Sequence, residues 1–570
     1  MGRFNLLEEP WITVMVDEKG QTKDVSLIEL FENAHHYKCL AGEMKAQDFA
    51  VLRVLLSVLH TVFSRLDADG NSYEYFDLDD RFQVKEDVDE DDYEDYEDDV
   101  LTTWEEIWEN RQFPSIIRQY LEMWKDHFNL LDDKFPFFQV TKEEIEKFLV
   151  EGKNPSPVSG KNINRLISES GNKAALFTPR YENKHNKEIL NESEMIRWLL
   201  TCQGYIGLSD KTIFGKEKYK ASKGWLFDLG GIYLEGDNLF ETLMLNYNVG
   251  DQGDKGSMQK PCWEHSGREN IQRLMAETPI RNLAELYTNW SRAIFLDPAT
   301  DFSKPVQIGI VKVPEINHKD NFLEPMTIWR KNESGENKGT STPKKHILEQ
   351  AMWRSYGLLV SANSTEDIKG ECPAPTPGII KWFQNRKKYL VSDRITINSI
   401  SMQDDGNATS WVPVNEISDS LNLNQILLTD VATNGWILRI TDTVEDTKYV
   451  IDKLYRNFLN EIKFIRNISL DTFVSQKMEE VYFQIDQPFR LWLASIDGDS
   501  DKDLTLLEWR RQLKRILLME AEMLLENASA RDFLGKNDEK KTSNIIMAYK
   551  VFVAQLNKYL KIEEDVNGGE

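Results

Sequence analysis

Residues 504–528 read LTLLEWRRQLKRILLMEAEMLLENA, an unbroken amphipathic pattern with no Gly or Pro. Leu, Met and Trp recur at helical spacing while Arg, Lys and Glu fill the intervening positions, so the stretch is a long helix with one buried face. Working outward, similar patterns fall near 440–466, 471–496 and 540–561. Asn467, Asp497-Gly498-Asp499 and Gly535-Lys536-Asn537 break them. Short breaks between long helices predict an antiparallel four-helix bundle over 435–570. Upstream of 434 the pattern is less regular. FNLLEEPWITVMV, from Phe4, predicts short strands around a Pro-Trp kink, with a turn at Glu18-Lys19-Gly20, and DVSLIELF then begins a helix. Residues 45–66 form a strongly apolar helix, and 104–129 read as an amphipathic helix whose Trp104, Trp108 and Trp124 belong to the core. Helix is expected again over 193–205 and 237–246, and loop over 163–187. ITINSISMQDDGNATSWVPV, from Ile395, predicts strand, turn and strand, with the turn at Asp404-Asp405-Gly406-Asn407. The fold class expected is therefore α+β: a large, irregular mixed α/β domain over 1–434 and a C-terminal four-helix bundle over 435–570.

The 570 residues carry 69 Lys and Arg against 95 Asp and Glu, a net charge of −26. Phosphate rewards basic surfaces, so the overall charge opposes nucleic-acid binding. Eleven acidic residues and no basic one lie between Glu86 and Asp99. Such a run repels itself and reads as a solvated, mobile insertion over about 78–100. Without it the chain still carries about −15, so any contact with nucleic acid must come from local basic patches. No signal peptide is expected at the N-terminus and no uncharged apolar run reaches the length of a membrane span. Four Cys, at 39, 202, 262 and 372, are too few and scattered for a disulfide framework. A reducing, cytoplasmic setting without membrane contact is the expectation.

The motifs of common chemistries are missing. There is no GxxxxGK[ST], HExxH or CxxC, and none of the eight His is followed by Asp. GDQGDKG, from Gly250, lacks the order of a phosphate-binding loop. Cys262-Trp-Glu-His265 has the spacing of half a zinc site with no second half nearby. No metal, cofactor or catalytic residue is expected. Three features point to nucleic acid. Lysines at 211, 216, 218, 220 and 223 sit among small residues. KWFQNRKKYLVSDR, from Lys381, interleaves aromatics with cations, which suits a nucleic-acid backbone or a half-buried strand edge. The polar tip at 404–410 can wedge into a groove.

Several segments together resemble one family, the CasA-type large subunit of the type I-E CRISPR Cascade surveillance complex. FNLLEEPWITV (Phe4 to Val14) resembles its N-terminal signature, and GGIYLEGDNLFETLMLN, from Gly230, a glycine turn leading into a helix. Pro261-Cys262-Trp263-Glu264 is similar to its Pro-x-Trp-Glu element, LYTNWSRAIFL (Leu286 to Leu296) to its Thr-x-x-Ser-Arg strand, and YFQIDQPFRLWLASI (Tyr482 to Ile496) to a bundle helix. The resemblance implies a non-catalytic subunit that works with guide RNA and the other Cascade subunits. Such a subunit is expected to bind double-stranded target DNA, recognise the protospacer-adjacent motif, promote opening of the duplex and recruit a helicase–nuclease in trans. This agrees with the missing catalytic motifs, because guide pairing supplies sequence readout and a partner supplies hydrolysis. By the same resemblance Phe177, Thr178 and Pro179 form a loop anchoring the chain at the guide RNA. Ala221, Ser222, Lys223 and Gly224 take the place of a glycine loop with reduced glycine density. Lys312, or second Lys304, is the lysine finger, and Asp405, Gly406, Asn407, Ala408, Thr409 and Ser410 are the wedge hairpin. Some members carry a wedge Gln where this tip offers Asn407, Ala408 and Thr409, and the cysteine cluster of some members is absent. Two other readings remain: a protein-interaction scaffold using the acidic run, and a metal-dependent hydrolase using scattered carboxylates.

Overall fold

The helix Lys45–Phe63 is the spine of the N-terminal part, and every residue from Ala46 to Phe63 is buried. Leu, Val and Phe surround it on all sides, the pattern of a helix packed by neighbours all round. By length and composition it could cross a membrane, but it lies wholly inside the protein. Helices Glu192–Tyr205 and Leu283–Tyr287 pack against it. Buried Arg53 within it and buried Arg65 just past its end are neutralised in place. Arg53 forms a two-point pair with Glu324 at 2.7 and 2.8 Å, and Arg65 pairs with Glu264 at 2.8 and 2.9 Å. Met44 at the N-cap position provides no side-chain acceptor. Glu416, far along the chain, does so instead: its carboxylate accepts the Ala46 N–H at 2.7 Å.

The computed structural model describes residues 2–169, 171, 176–177, 188–209, 211–250, 258–360, 374–386, 393–407, 411–538 and 541–562. They fall into two compact units. One comprises 1–346, 372–390 and 396–420; the other comprises 347–371, 391–395 and 421–570.

In the first unit, strands Thr22–Val25, Ile12–Met15 and Cys39–Leu40 form an antiparallel sheet in that order. A second antiparallel sheet places Gln307–Lys312 between Ser156–Ser159 and Arg292–Phe295, with Arg292 opposite Lys312. A third orders Pro413–Asn424, Arg394–Asp404 and Gly231–Glu235, with Ile400 opposite Gly231.

Four expectations about this unit are corrected. The acidic run is not a mobile insertion. Its second half opens the helix Tyr93–Asn110, in which Tyr96, Val100, Trp104 and Ile107 are buried and the carboxylates ring the outer face. Tyr96 donates to the Ser64 carbonyl at 2.9 Å. Apolar side chains spaced three and four apart give the segment a face to bury, and water screens the carboxylates opposite. Residues 104–129 are not one helix either: a break after Asn110 precedes the short helix Ile116–Met123, although all three tryptophans are core residues as expected. Within 163–187, Asn162–Leu166 is a buried π-helical turn rather than a polar loop. The Lys381 segment is the end of a helix, Gly378–Arg386, burying Trp382 and Phe383, and not a strand edge; 387–392 lie outside the described residues.

In the second unit, Trp436–Tyr449 continues through the π-helical Val450–Tyr455 into Arg456–Arg466. Thr472–Ser495, Lys502–Glu526 and Ile545–Leu560 follow. Each helix packs on the next and the last returns to the first, so they close a four-helix bundle. The first turn-back is made by Asn467 in the left-handed region at φ 52°. The unit begins before residue 435 and takes in 347–371, because Trp353 stacks on Phe489 at 4.2 Å and donates to Asp486 at 2.9 Å.

Candidate nucleic-acid interface

Lys312 ends the central strand of the second sheet, and the lysine-rich segment folds onto that end. The Lys312 N–H donates to the Thr212 carbonyl at 3.0 Å, the Ser222 N–H to Val313 at 3.0 Å, and the Glu315 N–H to Lys220 at 2.9 Å. Residues 212 and 220–222 are thus pinned along 312–315, and Lys216, Lys218 and Lys220 are exposed. Tyr219 donates to the Lys312 carbonyl at 2.6 Å. Lys312 is not a free finger. It is half-buried, and its ammonium donates to the Ser209 carbonyl at 3.1 Å. Lys304 is exposed and pairs with Asp301 at 2.9 Å in the loop before the same strand, so it is not brought to the Lys312 end.

Ala221 and Ser222 are buried, and the segment 221–224 is not an open cradle for phosphate. The Ser222 N–H is taken by Val313 and the Gly224 N–H by the Ser222 hydroxyl at 3.0 Å. Gly224 has φ 91°, and a Cβ there would lie 2.3 Å from the Gly204 carbonyl oxygen, so only glycine fits. Lys223 connects this segment to the hairpin. Its ammonium is 2.7 Å from Asp228 and 4.4 Å from the centre of the Trp411 ring. Lys345 sits between Asp228 at 3.4 Å and Asp404 at 3.5 Å and donates to the Met402 carbonyl at 3.0 Å. Burial alone would raise the Asp228 pKa, yet the ammoniums of Lys223 and Lys345 hold it below the usual carboxylate value. Lys312, 221–224 and the hairpin base therefore form one contiguous region.

At the tip, the Asp405 N–H donates to Val412 at 3.2 Å and the Gly406 N–H to the Asp404 carboxylate at 2.9 Å, with Gly406 at φ 69°. Asp405, Gly406 and Asn407 are exposed; Ala408, Thr409 and Ser410 lie outside the described residues.

Phe177 is half-buried rather than free, its ring 5.4 Å from that of buried Trp198. The Leu176 and Phe177 N–H groups both donate to the Arg165 carbonyl. Thr178 and Pro179 lie outside the described residues. Sequence reasoning did not single out the ion pair that ties this segment to the basic region. Glu169 pairs with Arg292 at 2.6 Å, and its second oxygen accepts the Ser209 N–H at 2.7 Å. Arg292 also donates to the Ser222 carbonyl at 2.5 Å. Arg292 falls in the quoted Thr-x-x-Ser-Arg element, but nothing local marks Glu169, Asp228 or Lys345.

Among the described residues no three His, Cys, Asp or Glu side chains are placed to hold a metal ion. Cys39, Cys202 and Cys262 are free thiols, and burial pushes Cys202 and Cys262 up to about 12, which leaves them protonated and poorly nucleophilic.

A family model described as CRISPR-associated protein Cse1 matches residues 5–519. A curated relative, CRISPR-associated protein CasA/Cse1 of Thermus thermophilus, is 25% identical over 367 residues, 63% of this chain. The match spans 60% of that relative's own length. Among solved structures, Thermobifida fusca Cse1 superposes with a TM-score of 0.75 at 23% identity, covering 99% of both chains. Thermus thermophilus CasA (Cse1) gives 0.63 at 17% identity, covering 98% of this chain and 99% of that one. A chain of a CRISPR RNA-guided surveillance complex gives 0.59 at 13% identity, covering 98% and 100%. At these identities the structural likeness speaks for the fold.

Proposed function

Because the chain belongs to the CRISPR-associated Cse1 family, we propose that it is the non-catalytic large subunit of an RNA-guided DNA surveillance complex. In this reading it joins guide RNA and the other Cascade subunits through the segment bearing Phe177. It binds double-stranded DNA beside the target and reads the protospacer-adjacent motif from the minor groove with the region of Lys312 and 221–224. The hairpin tip at 405–410 promotes strand opening, and a helicase–nuclease recruited in trans cuts. Free thiols agree with a cytoplasmic setting.

The observation that carries the reading is the contiguity of three elements distant in sequence. Lys312 ends the strand whose continuation binds Ser222, and Lys223 reaches from that segment to Trp411 at the hairpin base. A basic loop beside an exposed turn suits a duplex that is gripped by its phosphates and pried at one end. It also answers the acidic composition, since the cations needed are gathered locally. The test is salt-dependent binding of the protein, alone and within the guide-RNA complex, to duplexes with and without a matching motif. A linear fall of log affinity with log salt and motif dependence in the complex are expected. Affinity insensitive to both salt and motif would overturn the reading.

A further inference from the structure

We propose that the cavity walled by the helix Gly267–Met275, the segment 277–290 and the strand continuation 314–317 receives one unpaired nucleobase of the opened target DNA. The inference rests on the functional reading above. The cavity holds about 310 Å³, within the ~300–1,000 Å³ typical of small-molecule pockets. Leu274, Ile280, Ile316 and Trp290 supply apolar surface, and His265 and Asn289 are among the polar residues of the lining. Neither the His265 ring nor the Asn289 amide has a hydrogen-bond partner among the described residues. Burial pushes His265 down to about 4, so at neutral pH it is an uncharged imidazole with one donor and one acceptor.

These groups match an uncharged heterocycle with mixed donors and acceptors, and not an anion. Arg273 is occupied by Glu285 and Glu315 by Lys220. Glu277, also on the wall, would repel a phosphate. The base enters and its phosphate stays outside, where the lysine-rich loop is pinned at Lys220 to Glu315. Location adds weight: Pro314 and Glu315 of the wall lie two and three residues after Lys312 and are paired to Ala221 and Lys220. A duplex held at Lys312 and opened at the hairpin leaves bases unstacked beside this opening, and extrusion is least costly for bases already unpaired.

The experiment uses the full chain in its guide-RNA complex, with bubble duplexes in which each motif-proximal base of either strand is replaced in turn by an abasic site. One DNA position is expected to lose about fivefold or more in affinity, the scale of a lost base-stacking contact. Ile316→Trp, which fills the cavity, and Asn289→Ala, which removes the amide from a half-buried position, should weaken the normal bubble and abolish the sensitivity to that position. Both should leave initial binding to intact duplex unchanged. Loss of intact-duplex binding in wild type would instead defeat the functional reading itself. If no DNA position is sensitive, if the variants with unaltered melting keep the sensitivity, or if only an abasic site in the guide RNA matters, the pocket assignment is overturned.

Discussion

Glu169 and Arg292 are 123 residues apart in sequence and meet at 2.6 Å with neither side chain exposed. The same guanidinium holds the Ser222 carbonyl, and the same carboxylate holds Ser209, whose carbonyl receives Lys312. One ion pair therefore fixes the segment before Phe177, the end of the central strand and the start of the basic loop. A buried pair adds little net stability over an apolar replacement, but a stranded partner is costly. Glu169→Ala should lower folding stability by about 3–5 kcal/mol. Glu169→Ala combined with Arg292→Met should cost less than the two single changes added together. Denaturant unfolding of the four proteins measures this cycle. Additive costs would show that Arg292 acts through backbone carbonyls alone.

Phe177 touches Trp198 and also lies in the segment expected to meet the guide-RNA complex. Phe177→Ala should cost about 1 kcal/mol of folding stability, the value of partial apolar burial. It should weaken joining of the complex by ~1–3 kcal/mol, the range for an aromatic anchor. Phe177→Leu keeps most of the packing and should restore melting more fully than assembly. Equal recovery of both would make Phe177 a core residue only.

Much of this fold was legible because its strongest signals are local. The strongly apolar helix at 45, the four bundle helices and the turns at Asn467 and Gly535 each follow from periodicity or from a residue tolerant of positive φ. The fourteen residues of the acidic run read as charge alone, and only Tyr96 within it and Val100 just after it mark the buried stripe. In the candidate site, the resemblance points to Lys312, 221–224 and the hairpin as separate elements. That Lys312 is tethered, and that Lys223, Asp228 and Lys345 join loop to hairpin, depends on partners that only the tertiary fold brings close. Glu416 capping the helix at Ala46 is the same kind of contact, 370 residues apart.

The acidic run now separates charge from fold. Asp91→Asn, Glu97→Gln and Asp98→Asn together remove three exposed charges and spare Asp99, which accepts the Tyr75 hydroxyl. Melting should change little, because such surface changes fall within about 0.5 kcal/mol each. Non-specific duplex affinity should rise by a factor that shrinks with added salt. Deleting 86–99 should instead destabilise the protein by more than ~2 kcal/mol, since it removes Tyr96 from the core. A deletion with unaltered melting would return the run to the status of an insertion.

Asp48 gives the pH dependence. Desolvation at the buried start of the core helix raises its carboxyl from 3.8 to about 6, although Lys45 and the Gly42 N–H partly oppose this. The unfolded chain releases this proton near 3.8 and the folded protein near 6. The contribution to stability is therefore fully present below 3.8 and is lost as pH rises to 6, by roughly 2 kcal/mol after allowance for relaxation. Asp48→Asn retains an oxygen for the Gly42 N–H and carries no charge. It should match wild type near pH 4 and exceed it at pH 8, measured by denaturant unfolding. A variant less stable than wild type at pH 8 would mean that the Lys45 pair outweighs burial.

Lys312 and the hairpin tip are expected to act at different steps on one DNA segment. The minor groove offers a degenerate code, so few base-edge contacts are available there and several motifs should be accepted. Lys312 contributes charge, and charge acts on any sequence. Lys312→Ala should weaken binding to matched and unmatched motifs by similar factors and flatten the salt slope by about one unit. Because its ammonium also satisfies the Ser209 carbonyl, Lys312→Arg is the control that keeps a cation in place. The tip contributes shape. Gly406 holds the turn at φ 69°, and Asp405 and Asn407 stand exposed beside it. Gly-Ser replacement of 407–409 should leave initial duplex binding nearly unchanged and slow the opening of a fully matched target, because nothing then occupies the space that the first base pairs vacate. A pre-melted bubble at the motif-proximal end should rescue the tip variant and not Lys312→Ala. Rescue of both, or a tip variant that opens intact duplex at the wild-type rate, would remove the hairpin from the opening step and leave the basic region alone with the DNA.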